Sequence, residues 1–326
     1  MDKAVEVIKK SSDILILTHK NPDGDAVGSV LGLSIALRSM GKNVVSFSND
    51  PVSSVFDFLP GISTVKTEIL PRKYDLMIIL DCDSIKRTGI EDTAKVFDSF
   101  DNLLVIDHHP KQEGSEPEEN YFSIIDPKAS STAILIYDLL KKMGVMINKD
   151  IANCILTGIF TDTGSFQHSN TDEATLKVAA ELMKKGSRVD KISRQIFNNR
   201  TIPAIKLWGK ALSRIKTDEK TGMAVSYLSK KDFEEYDVSQ EELSGLVSII
   251  NTISDAKFSM LLTERDEKKI KGSLRSEEYK GIDVSRIARS LGGGGHKLAS
   301  GFEMDGNIED SINKISKMIL SVGNKQ

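Results

Sequence analysis

Acidic and histidine side chains follow three apolar runs in the first half of the chain, and a fourth stretch repeats the pattern. The segments are Ile14–Leu17 with His19, Asp23 and Asp25, Leu76–Leu80 with Asp81, Leu103–Ile106 with Asp107, His108 and His109, and TGIFTDTGSF with Asp162. A single residue of this kind is usually a turn or a helix cap. Four segments with the same chemistry indicate a shared metal centre instead. Gly24 is expected to let the chain turn tightly between Asp23 and Asp25.

The donors in these segments are carboxylates and imidazoles, without a thiolate among them. Such ligands suit Mn²⁺ or Mg²⁺, and Zn²⁺ and Fe²⁺ also accept them. The donors are more numerous than one ion needs, whereas two ions about 3.5–4 Å apart that share a carboxylate and a water would use them. A pair of this kind supplies hydroxide near neutral pH and neutralises charge on a phosphoryl group. The pattern therefore predicts hydrolysis of a phosphate ester.

Secondary structure must bring these side chains together. Continuous apolar runs are typical of strands that are buried on both faces of a parallel sheet. Helical patterns lie at Ala26–Met40, Thr132–Met143, Ile151–Leu156 and Thr171–Lys185, with Ser130–Thr132 and Thr171 as expected caps. This alternation predicts an α/β domain with a parallel sheet over residues 1–190. Ligands bind beyond the carboxyl ends of the strands in such sheets, so the segments would meet at one edge.

The rest of the chain has a different pattern of apolar and polar residues. Residues 191–219 are predicted to form a helical linker, and residues 220–326 a second, smaller α+β domain. Its expected elements are a half-exposed strand at Met223–Leu228, a helix at Ser239–Ile253 with Ser239 and Glu242 as a capping box, strands at Lys257–Glu264 and Lys269–Arg275, and helices at Asp283–Leu291 and Ile308–Leu320. The active site is expected in the cleft between the two domains.

Composition narrows the function. The chain has 326 residues and a net charge of −3, whereas proteins that bind long nucleic acid usually carry a basic excess. We therefore expect a small anionic ligand and no long duplex partner. No apolar run approaches the roughly 20 residues that span a bilayer, and MDKAVEVIKK has no signal-peptide pattern. Cys82 and Cys154 form no CxxC pair, which favours a reducing cytoplasm.

The ordered motifs are also a family signature. HKNPDGDAVGS, ILDCDS, VIDHHP and TGIFTDTGSF resemble those of the DHH phosphoesterases, which are named after the triplet Asp107-His108-His109. GGGGHKLASG, at residues 292–301, resembles the signature of their companion domain, DHHA1. The resemblance covers essentially the whole chain and is closest to the nanoRNase/pAp-phosphatase branch. It implies hydrolysis of very short oligonucleotides (nanoRNA, pApA or cyclic di-AMP) to 5′-mononucleotides, or of adenosine 3′,5′-bisphosphate (pAp) to AMP.

The resemblance also implies roles for individual residues. One ion would be held by His19, Asp23 and Asp81, and the other by Asp25, Asp81, His108 and Asp162. The expected ions are two Mn²⁺, with Mg²⁺ or Co²⁺ as substitutes. The catalytic residues would be His109 beside the scissile phosphate, Asp81 as the bridge, and Asp107, which orients an imidazole. A homodimer is expected from the resemblance alone.

A second group of residues is expected to bind the substrate. The group consists of Arg87, Arg275, Gly293, Gly294, Gly295, His296 and Ser300. Consecutive glycines let backbone N–H groups approach an anion closely, and a guanidinium fork matches two phosphate oxygens. The glycine run could alternatively be only a flexible helix end, and Arg87 an ordinary surface arginine.

Three other functions fit parts of this pattern. A manganese-dependent inorganic pyrophosphatase would share the first domain, but the glycine-rich second domain favours nucleotides. A single-strand-specific exonuclease would share the chemistry, but aromatic residues, on which single-strand binders stack bases, make up only 6% of the chain. A non-catalytic nucleotide sensor would have lost ligand residues, and none is missing here.

Overall fold

The computed structural model describes residues 1–68, 72–83, 85–90, 100–110, 121–197, 200–238, 240–243, 245–266, 269–295 and 297–323. The chain divides into two compact units, which are Met1–Asn199 (unit 1) and Arg200–Gln326 (unit 2). No helix in these ranges is long and apolar enough to cross a bilayer.

Unit 1 contains a parallel sheet of six strands. The strands are β1 (Asp13–Thr18), β2 (Asn43–Phe47), β3 (Val65–Lys66), β4 (Tyr74–Leu80), β5 (Phe100–Asp107) and β6 (Tyr121–Ile125). Their order is β3-β2-β1-β4-β5-β6, and all neighbours are parallel. The strand order therefore changes direction between β1 and β4, where open α/β sheets place their ligands.

The three predicted strands of this sheet are confirmed as β1, β4 and β5, and their apolar runs are buried or half-buried. Prediction from the sequence missed β2, β3 and β6. These strands are short, and each contains half-buried or exposed residues, so none of them contains a long apolar run.

Six helices are described in unit 1. They are α1 (Asp2–Lys10), α2 (Gly24–Ser39), α3 (Thr132–Met143), α4 (Lys149–Asp162), α5 (Glu173–Lys184) and α6 (Val189–Phe197). The prediction of Ile151–Leu156 was too short, because α4 continues through the TGIFTD stretch to Asp162. The prediction that Thr171 caps α5 was wrong. Asp172 is the cap, since its carboxylate accepts the Thr175 N–H.

Helices α2 and α4 pack antiparallel with their backbones in contact. A Cβ on Gly28 would lie 2.5 Å from the Cys154 carbonyl oxygen and 2.9 Å from the Gly158 nitrogen. A Cβ on Gly24 would lie 2.4 Å from Oγ1 of Thr161. Gly24 does not have a left-handed φ, so the expected tight turn is not the reason for this glycine. It is needed because the two helices approach so closely.

Unit 2 is built on a mixed sheet of six strands. The strands are β7 (Lys216–Asp218), β8 (Met223–Leu228), β9 (Phe258–Asp266), β10 (Lys269–Arg275), β11 (Gly294–Gly295) and β12 (Ala299–Asp305), in the order β11-β12-β10-β9-β8-β7. Only β8 and β9 pair in parallel. Strand β8 is buried along almost its whole length, because it lies between β7 and β9 and apolar residues cover both faces. The expected half-exposed strand was wrong in this respect.

The helices described in unit 2 are α7 (Ile202–Ser213), α8 (Lys230–Tyr236), α9 (Leu246–Ile250), α10 (Val284–Ser290) and α11 (Ile308–Gly323). Helix α7 contributes Ala204, Leu207 and Ala211 to the core of this unit. The single helix predicted at Ser239–Ile253 is instead a 3-10 turn over Gln240–Leu243 followed by α9. Gly245, with φ of 90°, precedes α9, and Ser239 lies outside the described residues.

Candidate metal centre

The carboxyl ends of three adjacent strands bring the first candidate residues together. His19 follows β1, Asp81 follows β4, and Asp107 is the last residue of β5. The chain at Asp81 has a φ of +61°, a left-handed conformation that costs a non-glycine residue about 1 kcal/mol or more. Strain of this kind is concentrated at functional sites.

The two aspartates of the first segment have different local roles. Asp23 is the N-cap of α2, because its Oδ1 accepts the N–H groups of Asp25 and Ala26. Asp25 is buried, and its two oxygens accept the N–H groups of Thr132 (2.6 Å) and Ala133 (2.9 Å) at the start of α3. The cap therefore fixes the loop, and α3 fixes the second carboxylate.

The predicted ligands form three overlapping groups. In each group the possible ligand atoms lie within 4.8 Å of one another. The groups are His19-Asp23-Asp81, Asp25-His108-Asp162 and Asp81-His108-His109. The first group is the set that the family resemblance implied for one ion, and the second contains three of the four residues implied for the other ion, without Asp81. The third adds His109, which the sequence interpretation placed just outside the ligands.

Asp81 lies between the other members. Its Oδ2 is 3.5 Å from Nε2 of His19, and its Oδ1 is 3.8 Å from Nε2 of His108 and 3.7 Å from Nδ1 of His109. Nε2 of His108 is also 3.7 Å from Oδ2 of Asp162. The two oxygens of the Asp81 carboxylate thus face different histidines.

The ring nitrogens of these histidines also contact groups that orient the rings, and in His19 and His108 the contact is made by the nitrogen that faces away from Asp81. Nδ1 of His19 lies 2.7 Å from the Lys20 carbonyl oxygen, and Nδ1 of His108 lies 3.2 Å from the Ala129 carbonyl oxygen. Both rings therefore direct Nε2 towards Asp81, as metal-binding histidines do. Nδ1 of His109 is 2.6 Å from Oδ1 of Asp107, a carboxylate that is fully buried.

Burial and neighbouring charges shift the pKa values of several of these side chains in opposite directions. Burial raises the pKa of Asp25, and the charges of Asp81 and Asp162 raise it further. Burial also raises the pKa of Asp81, but the hydrogen bond to His19 and the charges of the other histidines outweigh it and lower this pKa to about 2. Burial lowers the pKa of His19, yet Asp81 outweighs it and raises that pKa to about 9.

This donor set fits divalent metal ions. Four aspartates and three histidines supply oxygen and imidazole donors, which is the chemistry that Mn²⁺ and Mg²⁺ accept. The charges of Asp81 and Asp162 add to burial in raising the pKa of Asp25, so these three carboxylates repel one another without a cation. A cation held by these groups would relieve that repulsion.

Two residues of the site were missed by sequence analysis. The Thr132 hydroxyl donates to Oδ1 of Asp81 (2.9 Å). Nδ2 of Asn170 donates to the Ser130 carbonyl (2.9 Å) and lies 3.4 Å from Oδ2 of Asp162. Sequence analysis assigned Thr132 to helix capping, and Asn170 lies in a polar stretch with no recognisable period. Their contacts join segments that are distant along the chain, so no local pattern signals them.

Several predicted substrate-binding residues lie together in unit 2. Arg275 pairs with Ala299 across β10 and β12, and Gly295 pairs with Ser300 across β11 and β12. Gly294 is exposed, Arg275 is half-buried and Ser300 is buried. His296 lies outside the described residues.

The glycine run has a packing role in this sheet. A Cβ on Gly293 would lie 2.1 Å from the Gly301 carbonyl oxygen, and one on Gly295 would lie 2.7 Å from that of Ala299. Gly294 has open space around it. Only Gly294 of these three is therefore unconstrained by neighbouring backbone. Arg87, in unit 1, is exposed, and its charge acts on His109 to lower the pKa of that imidazole.

Comparison with known proteins follows the same division of the chain. The sequence pattern of the DHH family, N-terminal domain, matches residues 13–159, and that of the DHHA1 domain matches residues 220–322. The protein from Thermus thermophilus named bifunctional oligoribonuclease and PAP phosphatase NrnA is 31% identical over 309 residues, which is 94% of this chain and 89% of that one. The chain belongs to the DHH family.

Two further relatives support membership of the DHH family. The Bacillus subtilis protein of the same name is 30% identical over 302 residues, 91% of each chain. The crystal structure of an exopolyphosphatase-related protein from Bacteroides fragilis is 30% identical, with a TM-score of 0.88 over 98% of this chain and 95% of that one. The fold of this DHH-family chain is therefore shared by a solved structure.

Proposed function

We propose that this chain is a metal-dependent phosphoesterase for very short nucleotides. It hydrolyses oligoribonucleotides of a few residues to 5′-mononucleotides, and pAp to AMP. The observation that carries the proposal is the convergence of three histidines and three further aspartates around Asp81 at one edge of the parallel sheet. The substrate class is inferred from the names of the NrnA relatives.

The ligand groups support two divalent ions, with Mn²⁺ preferred. His19, Asp23 and Asp81 would hold one ion, and Asp25, His108 and Asp162 the other, with Asp81 shared. When bound, such ions supply a nucleophilic hydroxide near neutral pH and neutralise charge on the scissile phosphate. Asp23 is exposed whereas Asp25 is buried, so the first group is the one more open to solvent and substrate.

His109 is suited to act on the leaving oxygen. Burial lowers the pKa of His109, but the hydrogen bond to Asp107 and the charges of Asp81 and Asp107 outweigh it, so that the pKa is raised. The imidazole therefore holds a proton more strongly than an ordinary histidine, and it can stabilise developing negative charge or donate a proton to the leaving oxygen. Asp107 holds the ring in place for this step.

We assign substrate anchoring to unit 2. Arg275 lies on the half-exposed side of β10, beside the strand that carries Ser300. Its guanidinium would bind a phosphate of the substrate, and backbone N–H groups at the exposed Gly294 would add donors.

A side-by-side turnover assay with Mn²⁺ tests this function. The substrates are pAp, pApA, cyclic di-AMP, RNAs from two to twenty-four nucleotides, and pyrophosphate. We expect the shortest RNAs and pAp to be hydrolysed fastest, with rates that fall as RNA length increases. Fastest hydrolysis of pyrophosphate would overturn the nucleotide assignment, and fastest hydrolysis of the longest RNA would overturn the assignment to very short substrates. Absence of turnover on every substrate would favour a nucleotide sensor.

A further inference from the structure

The residues just before α3 and in its first turn contact three candidate metal ligands directly and a fourth through Asn170. Its contacts are the Ala129 carbonyl with Nδ1 of His108, the Thr132 and Ala133 N–H groups with the Asp25 carboxylate, the Thr132 hydroxyl with Asp81, and the Ser130 carbonyl with Asn170, which in turn reaches Asp162. None of these four residues of the segment is itself a candidate ligand. The segment therefore contacts the candidate metal centre only through the side chains of the ligands and of Asn170.

Thr132 is the one residue among these that contacts both main ligand groups. Its N–H donates to Oδ2 of Asp25 at 2.6 Å, and its hydroxyl donates to Oδ1 of Asp81 at 2.9 Å. Its side chain is completely buried. Thr132 therefore holds one carboxylate of each group, that of Asp25 through its backbone and that of Asp81 through its side chain.

A simple capping role does not explain this hydroxyl. The cap of α3 is Ser131, whose hydroxyl accepts the Ile134 N–H. The Thr132 hydroxyl donates instead of accepting, and its partner lies 51 residues away in the sequence. The helix would begin at the same place without it.

The orientation of the Asp81 carboxylate explains the role of the Thr132 hydroxyl. Oδ1 faces His108 and His109, and Oδ2 faces His19, so rotation of the carboxylate would separate the two ligand groups. The backbone at Asp81 is in a left-handed conformation. A neutral donor on Oδ1 holds the carboxylate in this rotation and adds no positive charge that would compete with a metal ion.

We infer that Thr132 is a positioning residue that holds Asp81 in the orientation in which it bridges the two ligand groups. The inference rests on the metal centre of the proposed function and deepens it. Thr132 does not touch the substrate or the ions in this role. It acts by fixing the carboxylate before any ion binds, so its loss should be visible as weaker metal binding.

The test compares metal binding by the metal-stripped full chain and its variants. Thr132→Val removes the hydroxyl at nearly constant volume and keeps the N–H bond to Asp25. We expect its Mn²⁺ affinity, measured by calorimetric titration, to fall by about 10-fold, the lower end of the range for loss of a group that orients a metal ligand. Thr132→Ser keeps a hydroxyl and should restore most of the affinity. Thr157→Val is the matched control, because the Thr157 hydroxyl is also buried but donates to the Asn153 carbonyl within α4.

Each result decides the inference. Equal Mn²⁺ affinity of Thr132→Val and the natural chain would overturn it, and so would a Thr132→Ser variant as weak as Thr132→Val. Turnover of pApA adds a second readout, in which kcat should fall in Thr132→Val while KM is nearly unchanged. If the natural chain binds Mn²⁺ but hydrolyses no phosphoester, the proposed function fails while the binding comparison still tests the positioning role.

Discussion

At the scale of single residues, Asp81 connects the whole centre. It belongs to two of the three ligand groups and has a strained backbone in a buried position. If Asp81 served only the stability of the fold, an unstrained φ at this position would make the folded state more stable. The strained backbone at Asp81 therefore fits a role in which the direction of the carboxylate matters more than the cost of the strain.

We expect Asp81→Asn to lose at least about 100-fold in kcat with Mn²⁺, because a neutral amide cannot bridge two cations. Asp75→Asn is the control, since Asp75 lies near the opposite end of β4 and its carboxylate accepts the N–H groups of Ser12 and Asp13. Steady-state kinetics of both variants checks the prediction. Near-normal turnover by Asp81→Asn would contradict the two-ion arrangement.

Asp232 in unit 2 gives a prediction about stability and pH. Burial raises the pKa of this carboxyl, but hydrogen bonds from Arg214, Lys210 and Ser229 outweigh it, so the pKa in the folded chain is lowered. A lowered folded pKa means that the stabilisation is fully present above the unfolded pKa of about 3.9 and is lost as the pH falls towards the folded value.

We therefore expect Asp232→Asn to reduce the free energy of unfolding of unit 2 by about 2 kcal/mol at pH 7. The difference from the natural chain should narrow as the pH falls below about 4. Urea unfolding followed by the fluorescence of Trp208, the single tryptophan, measures this. Glu235→Gln removes an exposed partner of Lys210 and should change little. A pH-independent loss in Asp232→Asn would contradict the electrostatic cause.

At the scale of elements, the contact of α2 with α4 sets where two carboxylates lie. Asp25 is in the first turn of α2 and Asp162 is the last residue of α4. The helices run antiparallel, so these ends meet. Gly28 and Gly158 let the backbones approach without intervening side chains.

Gly28→Ala should destabilise unit 1 by about 1–3 kcal/mol, because its Cβ would overlap backbone atoms of α4 that cannot move independently. Gly32→Ala, in the same helix, should cost less, since its Cβ would meet the Ile155 side chain at 3.0 Å. Thermal unfolding followed by circular dichroism compares the two. A smaller effect at Gly28 than at Gly32 would contradict the proposed close packing.

The sequence predicted elements and ligands whose signals are local. The apolar runs of β1, β4 and β5 are continuous, so their strands and the polar residues after them were recognisable. Strands β2, β3 and β6 lack such runs, and the end of α4 was hidden in a stretch that resembles the end of a strand. Thr132 and Asn170 escaped notice because a threonine at a helix start and an asparagine in a loop are common without any function. Their importance depends on partners that only the fold brings near.

At the scale of the whole molecule, every candidate metal ligand named here lies in unit 1, whereas Trp208 lies in unit 2. Saturating Mn²⁺, at about 100 times its dissociation constant, should add about 2.7 kcal/mol to the free energy of unfolding of unit 1. Scanning calorimetry with Mn²⁺ and then with a chelator measures this, and Trp208 fluorescence follows unit 2 separately. Asp81→Asn should show no such gain. An equal gain in that variant would mean that Mn²⁺ stabilises the chain at another site.

The backbone contact between α2 and α4 also bears on how the protein could be redesigned. Because main-chain atoms set the separation of the helices, repacking of the surrounding apolar side chains should leave the spacing of Asp25 and Asp162 almost unchanged. Laboratory selection for a cation of different radius should therefore yield few solutions among core residues. Successful variants should instead concentrate at Gly28, where one added methyl group would meet backbone atoms of α4 and displace that helix.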